Sequence, residues 1–72
     1  MQEHEIVVGG IYQSGDSEVA RRVIMLHPPQ AKYDPGVVMA TVVRHFDHKH
    51  LGREGDWSLK DFAHWAARRI DA

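Results

Sequence analysis

The densest group of chemically capable side chains in this chain is His45-Phe46-Asp47-His48-Lys49-His50. Neutral imidazole and carboxylate are ligands for Zn²⁺, Ni²⁺ or Cu²⁺. On an extended strand His45 and Asp47 point to one face, and His48 and His50 to the other. A turn after Asp47 would gather three of the four, and a structural metal would help a small core. The spacing lacks the paired signature of a zinc site such as C-x₂-C…C-x₂-C. Lys49 also places a repelling charge in the middle. The sequence therefore predicts no metal, and His45, Asp47, His48 and His50 are the ligands to weigh if one binds.

The same histidines, with Arg44 and Lys49 as phosphate clamps, have the residue types for phosphoryl transfer. No Walker loop, nucleophile elbow or paired-carboxylate motif accompanies them. Gly9-Gly10 lacks the G-x-G-x-x-G pattern and helix context of a phosphate loop. Ser14, Ser17 and Ser58 sit at turn and cap positions. The expectation is a protein that is not an enzyme and uses no cofactor. Recognition residues are a better fit. Trp65 lies four residues before Arg69, a spacing that allows a cation–π contact on one helix face. Trp and Arg are also enriched at interface hot spots. Tyr12 with Arg21, Arg22 and Arg44 would form a basic, aromatic strand face if their strands pair, which suits single-stranded nucleic acid. Lys49 and Arg53 would extend that set. The candidate partner-binding residues are thus Trp65, Arg69, Tyr12, Arg22 and Arg44.

These side chains need elements to position them. Asp56-Trp57-Ser58-Leu59-Lys60-Asp61 opens a helix predicted over 58–70. Ser58 is the N-cap, Asp61 stands in the capping-box position, and Trp57 precedes the cap as a hydrophobic staple. Leu59, Phe62, Ala63, Ala66 and Ile70 repeat at helical spacing as one apolar stripe. Arg68 and Arg69 suit the negative end of the helix. Ile6 to Tyr12 reads as a first strand, with Gly9-Gly10 marking a bulge or bend and a turn at Ser14-Gly15-Asp16-Ser17. Residues 19–27 read as a strand, with a helix at about 17–26, capped by Ser17, as the alternative. His27-Pro28-Pro29 ends that element, and 28–36 is a loop closed by Asp34-Pro35-Gly36. Val37 to Phe46 is the clearest strand. His48 to Asp56 is a loop, or a hairpin with a short fourth strand near Trp57. The predicted fold is α+β: three or four antiparallel strands, or a small SH3-like barrel, with one C-terminal helix. The alternative is βαβα.

Gly9-Gly10-Ile11-Tyr12, Arg22-Val23-Ile24, the valine-rich strand and Ser58-Leu59-Lys60-Asp61-Phe62-Ala63-His64-Trp65-Ala66 together resemble small uncharacterised proteins of phages, prophages and plasmids. Those proteins look SH3-like or Tudor-like, with a G-x-x-Y opening strand, an R-x-V strand and a closing S-x-x-x-F-x-x-W-A helix. The resemblance spans most of residues 8–67, and loop 28–36 and the histidine-rich segment depart from it. It implies a fold and a mobile-element origin, and no established activity.

Size and charge narrow the class. Seventy-two residues without cysteine make one domain, 1–72, that no disulfide can staple. There is no apolar run long enough to span a bilayer and no basic n-region of a signal peptide, so a cytoplasmic protein without membrane contact is expected. The net charge of -1 is far from the basic footprint of a general nucleic-acid binder. It is unevenly spread, with net -2 over residues 1–36 and net +1 over 37–72. The expected function is therefore a non-enzymatic accessory protein of a mobile element that binds a protein partner. Self-association is included, through Trp65–Arg69 and an edge strand at Val37–Phe46. A small nucleic-acid-binding regulator is the alternative, and a histidine-based metal protein the third.

Overall fold

The computed structural model describes residues 1–15 and 18–71. Five strands form one antiparallel sheet: β1 (Ile11–Gln13), β2 (Ala20–His27), β3 (Val37–Arg44), β4 (Glu54–Ser58) and β5 (Arg68–Arg69). Their order is β4-β3-β2-β1-β5, so the sheet is open with β4 and β5 at its edges. The helix α1 (Leu59–Trp65) falls between β4 and β5 in sequence and covers one face of the sheet. Short 3₁₀ turns occupy Glu3–Glu5 and His48–His50. The α+β class with a single C-terminal helix is as predicted, with five strands rather than three or four. Residues 20–27 are strand, and the helix alternative at about 17–26 is not realised. Both edges of β2 are hydrogen-bonded, to β1 and to β3, so its β-branched run is fixed by two ladders. Of the turn expected at 14–17, Asp16 and Ser17 lie outside the described residues.

The first strand starts later than its β-branched run suggests. Val7 to Gly10 form a turn closed by the Gly10 N–H donating to the Val7 carbonyl at 3.1 Å. Gly9 still donates to the Val23 carbonyl (2.8 Å), and Val23 donates to the Gly10 carbonyl (3.0 Å). The glycine pair thus bends the chain without losing β2. Gly10 is also forced by packing, because a Cβ there would lie 2.6 Å from the Tyr12 hydroxyl oxygen.

Alternation along β3 separates the two faces. Val38, Ala40 and Val42 are buried under α1, while Val37, Met39, Thr41 and Val43 face the other way and stay half-buried or exposed. β3 lies between β2 and β4, so it is not an edge and cannot pair across a two-fold axis. The core gathers Tyr12, Val23, Val38 and Phe62, all fully buried. Tyr12 meets Phe62 edge-on at 5.7 Å between ring centroids. Its hydroxyl donates to the Glu5 carbonyl and accepts from the Val7 N–H, each at 2.9 Å. Tyr12 is therefore a core residue that ties down the N-terminal segment. It is not a partner contact, because both its ring and its hydroxyl are already used.

The helix begins as predicted and ends five residues early. The Ser58 hydroxyl accepts from the Asp61 N–H at 3.0 Å. Trp57 stands edge-on to Phe62 at 5.7 Å, which is the staple between the residue before the cap and the fourth helical residue. Leu59, Phe62, Ala63 and Ala66 are buried as the stripe requires. After Trp65 the chain turns extended. Ala67 donates to the Gln13 carbonyl (2.9 Å) and Ile70 to the Ile11 carbonyl (2.8 Å), which places Arg68–Arg69 on the free edge of β1. A β1 left with a bare edge would carry unpaired backbone groups, and the ladder overrides local helix preference there. Ile70 accordingly leaves the stripe. The Met1 ammonium donates to the Ala63 and Ala66 carbonyls at 2.8 and 3.0 Å, a cation at the negative end of α1.

Two measurements test this frame. Tyr12→Phe removes the hydroxyl but keeps the ring, stranding the Val7 N–H and the Glu5 carbonyl. It should cost about 1–3 kcal/mol in urea unfolding, and an unchanged midpoint would show that the hydroxyl anchors nothing. The second is an acid limb. The Asp71 carboxylate accepts from the Arg69 guanidinium (2.7 and 3.1 Å) and from the Ile11 N–H (2.9 Å). The Arg69 bond first, and the Ile11 bond after it, hold its pKa well below the usual carboxylate range. Asp34 is lowered as well, by the Gly36 and then the Gln30 backbone N–H. A depressed folded pKa stabilises above the unfolded value, about 3.9, and that contribution is lost as pH falls through the folded value. Stability should hold from neutral pH to about pH 5 and decline below it. Asp71→Asn should make the decline shallower, and an identical acid limb in that variant would unlink the carboxyl from folding.

Candidate binding cleft

Arg21 organises the site. It lies just after a bulge in the β2–β3 ladder and pairs in register with buried Val42, which puts it on the face that carries α1. Its guanidinium carbon is 4.6 Å from the ring centroid of Trp65 and 5.1 Å from that of Trp57. The two indoles are themselves 5.8 Å apart. The staple fixes Trp57, and the two helical turns that follow bring Trp65 beside it. Burial against the rings lowers the Arg21 pKa by desolvation. A guanidinium stays charged regardless, so the site carries a partly dehydrated cation.

Beside Trp57 opens a cleft of about 170 Å³, lined by Arg21, His45, His50, Arg53, Glu54 and Trp57. Its floor is the cross-strand pair Ala40 and Gly55. These are the two smallest side chains available, and their pairing leaves the depression open. A Cβ built on Gly55 would meet the Trp57 Nε1 at 4.0 Å, so the indole N–H looks onto this floor. That N–H has no acceptor among the described residues.

The histidine segment is a capped turn rather than a ligand set. Asp47 caps the 3₁₀ turn His48–His50 by accepting from the Lys49 N–H at 3.0 Å. The Asp47 N–H donates to His45 Nδ1 at 2.9 Å, which places the ring hydrogen on Nε2. The His45 ring stacks on Phe46 and His50, with both centroid distances 4.4 Å. His50 Nε2 is 3.9 Å from the Asp47 carboxylate. His48 is exposed and does not line the cleft. Among the described residues no three His, Asp or Glu side chains converge as a metal would require.

The other predicted contacts are scattered. Arg69 sits on β5 and pairs with Asp71, so the predicted Trp65–Arg69 stacking is replaced by Trp65–Arg21. The early end of α1 is the cause, since Arg69 no longer follows Trp65 by one helical turn. Arg22 pairs with Ile11 and Thr41 on the face opposite Arg21, which breaks the predicted basic strand face. Arg44 is exposed at the end of β3 and is not among the lining residues. Glu54 and Gly55 are absent from the sequence prediction, since only the strand register sets Gly55 opposite Ala40 and Glu54 opposite Thr41. No protein-family model, curated protein or solved structure matches the chain.

The stacking is testable by a double-mutant cycle of Arg21→Gln with Trp65→Leu. The coupling energy should be about 0.5–2 kcal/mol. Additive effects would show that Arg21 is merely adjacent to the ring.

Proposed function

We propose that this chain is a small non-enzymatic interaction module, an accessory protein of a phage or other mobile element. In this reading it takes an acidic segment of a protein partner into the cleft beside Trp57. The observation that carries the proposal is the convergence on one small depression of a partly dehydrated guanidinium, a second arginine and an unpaired indole N–H. That donor set suits a carboxylate, and arginine binds carboxylates in a two-pronged geometry. The aromatic wall suits the apolar part of the same segment, as in other aromatic-lined peptide grooves. The Ser58 hydroxyl accepts the Asp61 N–H, and the His45 Nδ1 accepts that of Asp47. Both groups are committed to local structure, which favours recognition over catalysis.

A second reading is a short single-stranded nucleic acid, favoured by the arginine stacked on two tryptophans. The net charge of -1 weighs against it, because a polyanion is drawn by a long-range positive field that this chain lacks. Indole fluorescence separates the two. Titration with an acetylated tetraglutamate peptide should give a saturable change. Arg21→Gln should weaken it, and Gly55→Val, which fills the floor, should abolish it. An oligothymidine of about ten nucleotides should respond weakly. A stronger response to the oligothymidine, falling steeply with salt, would favour the second reading. Silence toward both probes at millimolar concentration would overturn the proposal.

A further inference from the structure

Among the described residues no element lies over the face of the sheet turned away from α1. The register assigns its side chains strand by strand. One cross-strand row runs Ile11, Arg22, Thr41 and Glu54 over β1 to β4, and the next runs Met25, Met39 and Asp56 over β2 to β4. Ile24, Met25 and Val37 are each about 40% exposed on or beside these rows. A strip of apolar side chains is thus bounded by acids on β4 and crossed by a cation on β2. Arg22 and Glu54 are both exposed, and neither has an ion-pair partner among the described residues. They lie in one row on the two strands that flank β3.

We propose that this face packs against the same face of a second copy, with the two-fold axis running along β3. A two-fold contact pairs one surface with itself. Rotation about β3 leaves each row opposite itself and exchanges β2 with β4. Met39 and Thr41 then meet their own counterparts, and Arg22 of each copy comes opposite Glu54 of its partner, twice over. The apolar strip gains a cover, giving two sheets packed face to face with a helix on each outer side. An axis along β2 or between β2 and β3 gives no such pairing of Arg22 with Glu54. The charge pattern therefore selects both the occupant and the register. The cleft's other lining side chains lie on the helix-bearing side, and Glu54, which pairs with Thr41 on the opposite face, is the one residue the two surfaces share.

The test is charge reversal, read by sedimentation equilibrium, with circular dichroism to verify folding. The full chain should be a dimer at high micromolar concentration. Arg22→Glu and Glu54→Arg should each weaken association about tenfold or more, since each sets like charges opposite one another. The double variant should recover the wild-type association. Both side chains are exposed, so the variants keep the core intact. A strictly monomeric wild type would overturn the proposal and leave the face to a different protein. A dimer indifferent to both reversals, or a double variant as weak as the singles, would overturn the proposed register.

Discussion

The contact of Trp57 with Phe62 is the hinge of this structure. It fixes the angle at which the chain leaves β4 and enters α1. Without that angle the short helix has no reason to lie along the sheet, since seven residues are too few to be stable alone. Once the helix is laid down, Phe62 reaches Tyr12 and closes the core, and Trp65 arrives beside Trp57. Arg21 then finds two rings to rest on. The core and the cleft share one aromatic group here. The side of Trp57 that faces Phe62 builds the core, and the edge bearing its N–H faces the cleft.

A chain this small compensates for a thin core by tying its ends. The N-terminal ammonium caps α1, and Asp71 holds both the Ile11 backbone and Arg69 near the other end of the chain. Tyr12 joins the N-terminal turn to the sheet through its hydroxyl. Each bond is modest singly. Together they restrain segments that would otherwise fray, in a fold where a few kcal/mol is a large share of total stability. Among the described residues no helix is long and apolar enough to cross a membrane.

Local chemistry was legible in the sequence, and long-range register was not. The Ser58 cap, the Trp57 staple, the buried faces of Phe62 and Ala66 and the strand character of residues 20–27 all follow from neighbours a few positions away. The early end of α1 does not, because it depends on β1 having an unpaired edge some 55 residues back along the chain. The same limit hid the site. Trp65 and Arg21 each stand out as residue types, but only the packing of α1 on β2 makes them partners, at the expense of Arg69. Tyr12 looked like a binding aromatic because its burial depends on Gly10, whose missing side chain leaves space for the ring. Gly55 gave no signal, since its role is to stand opposite Ala40 and occupy nothing.

The pairing of β5 with β1 has a consequence for how the chain folds. Most of the sheet is a meander of neighbours and can zip from β2 and β3 outward. The last strand instead returns across almost the whole chain to a three-residue partner, and only two residues lie in its ladder. Closing so long a loop costs entropy that two ladder residues repay late, so β5 completes the fold rather than starting it. For the same reason it is the first strand to detach. Its departure bares the edge of β1 and leaves the Gln13 and Ile11 carbonyls without their donors. The feature that seals the sheet is therefore also the one it gives up most easily.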